Sequence, residues 1–205
     1  MKLNNVLTTR QFSNPLILQR LFDLSLEMEK NVKSEKLFPI LQGKVLAALF
    51  YEPSTRTRFS FESAMLRLGG RVISTEAAGH FSSVTKGETL EDTIRIISGY
   101  SDVIVLRHPD VGAAQRAAEI SPVPIINAGD GIGEHPTQAL LDVYTIWREK
   151  GRLNNLNVVI MGDLLYGRTV HSLLYLLSSF EGNEITLVSP PSLRVPESYY
   201  ELMRQ

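Results

Sequence analysis

The chain has 205 residues, with 21 Lys plus Arg against 22 Asp plus Glu, no cysteine, 43% hydrophobic and 21% charged residues. That is the composition of an ordinary globular protein with room for one sizeable core or two smaller ones, and it excludes disordered, collagenous and low-complexity classes. The near-neutral charge gives no general pull toward nucleic acid or an anionic membrane, and without cysteine there is no disulfide, thiolate zinc site or cysteine nucleophile.

The opening MKLNNVLTTRQFSNP has no apolar core of a secretion signal, and no run approaches a membrane span, so a cytoplasmic protein is expected. Ser13-Asn14-Pro15 reads as a helix start, followed by Ile17, Leu21, Leu24 and Met28 at helical spacing to about Val32. Lys44 to Tyr51 reads as a buried strand; after Pro53, the set Phe61, Ala64, Met65 and Leu68 predicts a helix ended by Gly69-Gly70. The alternation continues with helix Glu88 to Ser98, strand Asp102 to Leu106, helix Ala113 to Ile120, strand Val123 to Asn127 and helix Thr137 to Trp147. After a polar stretch from Gly151 to Asn157 come strand Val158 to Met161, helix Arg168 to Phe180, strand Ile185 to Val188 and a short helix from Glu197. Short apolar strands alternating with amphipathic helices predict an α/β fold with parallel sheets. The expected division is 1–136, a connecting helix over 137–150, and 151–205 as a second, incomplete domain, because two strands and two helices bury little core.

The segment most informative about chemistry lies between the first strand and its helix: Ser54-Thr55-Arg56-Thr57-Arg58. A helix N-terminus offers unpaired N–H groups at the positive end of its dipole, and the hydroxyls of Ser54, Thr55 and Thr57 with the guanidinium of Arg56 gather there as a phosphate cradle. The plainer alternative is an ordinary Ser54 cap with solvated arginines. Arg107 closes an apolar strand where α/β sheets bind ligands, and a buried arginine there needs an anion. His135 follows a glycine-rich loop and opens a helix, which favours a neutral imidazole. Gly162 to Thr169 nearly matches a phosphate-binding P-loop, but Arg168 stands where that motif needs lysine. His80, His108 and His171 have no metal-ligand spacing, so no metal is expected.

S-T-R-T-R followed by F-S-F-E resembles the carbamoyl phosphate motif of the aspartate and ornithine carbamoyltransferases. Arg107-His108-Pro109, His135-Pro136-Thr137-Gln138 and Gly167-Arg168-Thr169-Val170-His171-Ser172 follow in that family's order. The resemblance implies that Ser54, Thr55, Arg56 and Thr57 hold phosphate. It also implies that Thr57, Arg107 and His135 hold the carbonyl oxygen of carbamoyl phosphate, that Gln138 accepts from its amide, and that Arg168 clamps a carboxylate of L-aspartate. Glu52 stands where the ornithine branch has lysine, and Ser82 with Lys86 resembles a loop that the aspartate branch inserts into a neighbouring subunit's site. A homotrimer with shared sites is thereby implied, with room for a regulatory or dihydroorotase partner chain, and with no cofactor.

The implied reaction is attack of the aspartate amine on the carbonyl carbon of carbamoyl phosphate, giving N-carbamoyl-L-aspartate and phosphate, a step of pyrimidine biosynthesis. Arg56 and Lys86 would act on phosphate and Thr57, Arg107 and His135 on the developing oxyanion. The sequence stops roughly 100 residues before such chains normally end, so weak or absent activity is expected of this chain alone. The alternatives are a non-catalytic carbamoyl phosphate-binding scaffold and a carbamoyltransferase for another amine such as ornithine.

Overall fold

The computed structural model describes residues 4–34, 38–76 and 87–203. Asn14 opens the first helix, Pro15–Lys33 (α1): its side-chain oxygen accepts the N–H of Leu16 at 2.9 Å, and Pro15 has no N–H to satisfy there. Val45–Phe50 (β1) is an apolar run with five buried residues, as a strand covered on both faces requires. It lies in a four-stranded parallel sheet of order β2-β1-β3-β4, with Arg71–Glu76 (β2), Val103–His108 (β3) and Ile125–Asp130 (β4). The N-terminal segment continues the sheet beyond β4, where Val6 bridges Ile126.

Side chains that alternate across the sheet build two cores. On one face Ala47, Leu49, Tyr51, Ile104 and Leu106 pack with Ile94 of Leu90–Ser98 (α3) and with Ala113, Ala114 and Ala117 of Ala113–Ile120 (α4). On the other, Leu46, Ala48, Phe50 and Val105 pack with Met65 of Thr55–Arg67 (α2). Each fully buried aliphatic or aromatic side chain contributes about 1.5–3 kcal/mol.

Several boundaries differ from expectation. The α3 helix begins at Leu90 rather than Glu88, because Thr89 is the cap whose hydroxyl accepts the N–H of Asp92. β4 starts at Ile125, two residues after the expected Val123, and runs on to Asp130. β2 was not expected at all: Arg71–Glu76 is a sheet edge paired only with β1, so its burial follows no clean alternation.

The later strands Asn157–Met161 (β5) and Glu184–Val188 (β6) form a separate parallel pair joined through Arg168–Leu177 (α6). One face of the pair packs Ile160, Ile185 and Leu187 against Leu164, Leu174, Val195 and the short helix Glu197–Met203 (α7). The opposite face leaves Val159 67%, Met161 78% and Val188 43% exposed. The helix expected to reach Phe180 ends at Leu177. Before it, Pro136–Lys150 (α5) closes on Gly151 at φ 71°, a left-handed cap suited to glycine.

By its packing the chain forms two compact units, Met1–Leu7 with Asp23–Gly131, and Thr8–Phe22 with Ile132–Gln205. This differs from the expected 1–136, 137–150 and 151–205. The α5 helix packs on α6 within the second unit, and Thr8–Phe22 joins that unit from the far end of the chain. Phe22 stacks on Trp147 at 5.0 Å between ring centres. Periodicity read along a sequence does not reveal a unit assembled from two distant stretches.

Candidate functional site

In the first unit the order β2-β1-β3-β4 reverses direction between β1 and β3, so the carboxyl ends of these two neighbours flank a topological switch point. The loop from β1 leads directly into α2, whose first residues are Thr55, Arg56 and Thr57. Ser54 is the N-cap residue but its side chain makes no capping bond, so its hydroxyl is not consumed by the helix. Thr55 and Arg56 are exposed, and Arg56 forms no ion pair among the described residues. Free N–H groups, three hydroxyls and an unengaged guanidinium are the requirements of an anion site.

Arg107 is brought beside this cradle by strand register. It pairs with Phe50, its carbonyl accepts the N–H of Tyr51 at 2.9 Å, and its side chain shares the α2 face of the sheet with Phe50. The guanidinium is 13% exposed and donates from Nη1 to the carbonyl of Ala128 at 3.3 Å. That carbonyl is available because the β3–β4 register shifts between Leu106 and His108, an irregularity that re-aims groups near sites. The anion that a buried arginine needs is partly intrinsic: Glu52 Oε2 lies 3.6 Å from Arg107 Nε. In the sequence Glu52 only separates the family branches; its contact with Arg107 depends on the β1–β3 register and is not legible there. Arg58 belongs to the scaffold, pairing with Glu76 of β2 at 2.9 Å and with Glu62 at 3.5 Å.

Behind the site, on the α3–α4 face, the Tyr51 and His108 rings meet at 4.6 Å. Burial pushes the Tyr51 phenol up, with Thr93 lowering it and Glu88 adding to the rise. Burial lowers the His108 imidazole, opposed by Asp110. His108 Nδ1 accepts the N–H of Asp110 at 3.1 Å.

The second unit holds the remaining described candidates. His135 is 5% exposed and caps α5; its N–H donates to Ser172 Oγ at 3.1 Å, fixing it against the first turns of α6. Gln138 donates from Nε2 to Asp142 Oδ1 at 3.0 Å, which leaves its carbonyl oxygen as the acceptor. Burial raises the Asp142 carboxyl. The Gln138–Asp142 spacing of i, i+4 was a readable signal for this orienting pair. Arg168 opens α6 four residues before Ser172, and the loop before it is shaped by Asp163 Oδ1, which accepts the N–H groups of Leu165 and Tyr166 at 3.1 and 2.9 Å. His171, expected to be structural, hydrogen-bonds through Nε2 to the Leu164 carbonyl at 2.9 Å.

Thus Ser54, Thr55, Arg56, Thr57 and Arg107 are assembled in one unit, and His135, Gln138 and Arg168 in the other. Ser82, Lys86 and His80 lie outside the described residues. Among the described residues no cluster of His, Asp and Glu could hold a metal ion, and no helix is long and apolar enough to cross a membrane.

Residues 4–148 match the carbamoyl phosphate-binding domain of aspartate/ornithine carbamoyltransferases. The chain is 56% identical over 196 residues to the chloroplastic aspartate carbamoyltransferase of Arabidopsis thaliana, covering 96% of this chain and 50% of that protein. It is 58% identical over 181 residues to the aspartate carbamoyltransferase catalytic subunit of Methanocaldococcus jannaschii, covering 88% and 59%. A solved structure of the M. jannaschii catalytic subunit matches with a TM-score of 0.92 at 51% identity, over 98% of this chain and 65% of that one. Trypanosoma cruzi aspartate transcarbamoylase, solved in complex with carbamoyl phosphate and aspartate, matches with a TM-score of 0.92 at 41% identity, over 98% and 66%. The chain spans about half to three-fifths of the length of these curated relatives. With a family match over most of its length, the chain belongs to the aspartate/ornithine carbamoyltransferase family.

Proposed function

We propose that this chain binds carbamoyl phosphate and serves carbamoyl transfer to L-aspartate. The observation that carries the reading is the α2 N-terminus at the β1–β3 switch point, with unengaged Ser54 and Arg56 beside Arg107. In this reading Ser54, Thr55, Arg56 and Thr57 hold the phosphoryl group. Thr57, Arg107 and His135 act on the carbonyl oxygen, Gln138 accepts from the carbamoyl NH2 through the oxygen that Asp142 turns outward, and Arg168 holds an aspartate carboxylate. Ser82 and Lys86 complete the phosphate site from a neighbouring copy in a homotrimer. A regulatory or dihydroorotase partner chain belongs to the same reading.

The chemistry needs no cofactor. The aspartate amine attacks the carbonyl carbon, a C–N bond forms, the C–O bond to phosphate breaks with its electron pair leaving on phosphate, and the ammonium proton passes to that phosphate. Donors aimed at the developing oxyanion are each worth about 10²–10³-fold in turnover. Glu52 Oε2, 3.6 Å from Arg107 Nε, helps to hold the guanidinium in place beside the cradle.

Isothermal calorimetry with carbamoyl phosphate tests the reading, with inorganic phosphate and acetyl phosphate as references. Saturable binding tighter than phosphate is expected, and no binding overturns it. The scaffold alternative would bind carbamoyl phosphate without forming carbamoyl aspartate under any condition. A cytoplasmic setting remains part of the proposal, the relatives including plant proteins named chloroplastic.

A further inference from the structure

The carboxyl ends of β1 and β3 are tied together twice, back to back. On the α2 face the tie is the Glu52–Arg107 ion pair, within the candidate site. On the opposite face it is the Tyr51–His108 ring pair, tilted at 54° with centres 4.6 Å apart, Tyr51 being 9% exposed and the His108 side chain 12%. Between them runs the backbone bond from the Tyr51 N–H to the Arg107 carbonyl at 2.9 Å. Tyr51 is followed by Glu52 and two residues later by the cradle, and His108 directly follows Arg107, so a shift at either ring is passed to one half of the anion site.

His108 is itself held from three sides. Its carbonyl accepts the N–H of Gly131 at 2.9 Å, its Nδ1 accepts the N–H of Asp110, and its backbone faces Asp130 in register. Since Nδ1 accepts, the neutral ring carries its proton on Nε2. The charged groups around it are Glu52, Asp110, Arg116 of α4 and Glu91 of α3, with Arg116 paired to Glu91 at 3.1 Å and to Asp110 at 3.7 Å. The mechanism gives neither ring a contact with substrate.

We infer that Tyr51 and His108 are positioning residues whose ring pair sets the spacing between the phosphate cradle and Arg107, and so sets how well the site tells carbamoyl phosphate from phosphate alone. This rests on the reading of the site given above. In that reading inorganic phosphate draws on the cradle, with Ser82 and Lys86, but not on Arg107, whereas carbamoyl phosphate must engage the cradle and Arg107 together. A change in spacing therefore weakens the second ligand and spares the first.

The test is calorimetry of the full chain and of Tyr51→Phe, Tyr51→Leu and His108→Leu with carbamoyl phosphate and with inorganic phosphate, folding being checked by circular dichroism melting. Tyr51→Phe keeps the ring and is expected to match the unsubstituted chain. Tyr51→Leu and His108→Leu, which remove the ring from opposite sides, are each expected to weaken carbamoyl phosphate by about three- to ten-fold, the scale of one aromatic pair, with phosphate unchanged. A folded leucine variant that keeps the original ratio of the two affinities overturns the inference, as does equal weakening of both ligands. If the unsubstituted chain itself shows no preference for carbamoyl phosphate, the reading of the site fails first and the inference falls with it.

Discussion

The two units are built from the same strand, loop and helix units but bury them to different extents. In the first, β1 and β3 are covered on both faces and Ala47, Ala48, Phe50, Ile104 and Val105 are fully buried. In the second, β5 and β6 are covered on one face by α6 and α7, and Val159 and Met161 stand in solvent on the other. Parallel strands normally gain their stability from helices on both sides, so the first unit has its full complement and the second does not. The proposed chemistry divides in the same way: Ser54 to Thr57 and Arg107 lie in the first unit, while Arg168 is the one residue of the second proposed to hold an aspartate carboxylate.

The largest expected effect is on carbamoyl aspartate formation by the chain alone. Orientation of two substrates supplies about 7–11 kcal/mol of barrier reduction, so with one clamp turnover is expected to fall on the order of 10⁵-fold or more below a full-length relative. Turnover equal to that relative would show that the second unit is sufficient as it stands.

Next in size is the cradle. Arg56→Ala is expected to weaken carbamoyl phosphate binding by about a hundred-fold in calorimetry, since a dianion loses a charge-assisted bidentate partner. Unchanged affinity would move the site away from the α2 N-terminus.

The packing contrast predicts a smaller effect. Ile104→Ala, at a fully buried position, is expected to cost about 2–5 kcal/mol in urea denaturation, whereas Val159→Ala stays within about 0.5 kcal/mol. A large cost at Val159 would mean that the exposed face of β5 and β6 is covered in solution.

The contrast in burial also governs what can be read from the sequence. β1, β3 and the helices were readable because strands buried on both faces and amphipathic helices leave strong periodic signals. β2 was not, since an edge strand reading Arg-Val-Ile-Ser-Thr-Glu buries too little to show its period. The short 3-10 turn Thr9–Phe12 escaped for want of length, although it buries Phe12. The proposed cradle could be read from the sequence because its groups are contiguous. The Glu52–Arg107 pair was not, because 55 residues separate its members and only the β1–β3 register joins them.

The smallest expected effect is at Asp142. Its carboxyl is raised by burial, so the folded chain holds that proton more readily than the unfolded one; the associated stability is present below the ordinary value of 3.8 and is lost as pH rises through the raised value. Asp142→Asn is therefore expected to be slightly more stable than the parent at pH 7, by under about 1 kcal/mol, and to lose that advantage near pH 3. Denaturant midpoints at the two pH values measure it. Because Asp142 also orients Gln138, the same variant is expected to bind carbamoyl phosphate less tightly.

The second unit's use of Thr8–Phe22 has a consequence for synthesis. A ribosome delivers those residues first and their partners beyond Ile132 more than a hundred residues later. The first half of α1 must therefore wait, without its aromatic neighbours Tyr144 and Trp147, while the whole of the first unit is made. Phe12, Leu18 and Phe22, which end almost fully buried, are exposed throughout that interval and form the most vulnerable stretch of the nascent chain. It also follows that cutting the gene at Gly131 would not yield two independent pieces. The downstream product would lack its founding helix, and the upstream product would carry an apolar overhang with nothing to fold onto.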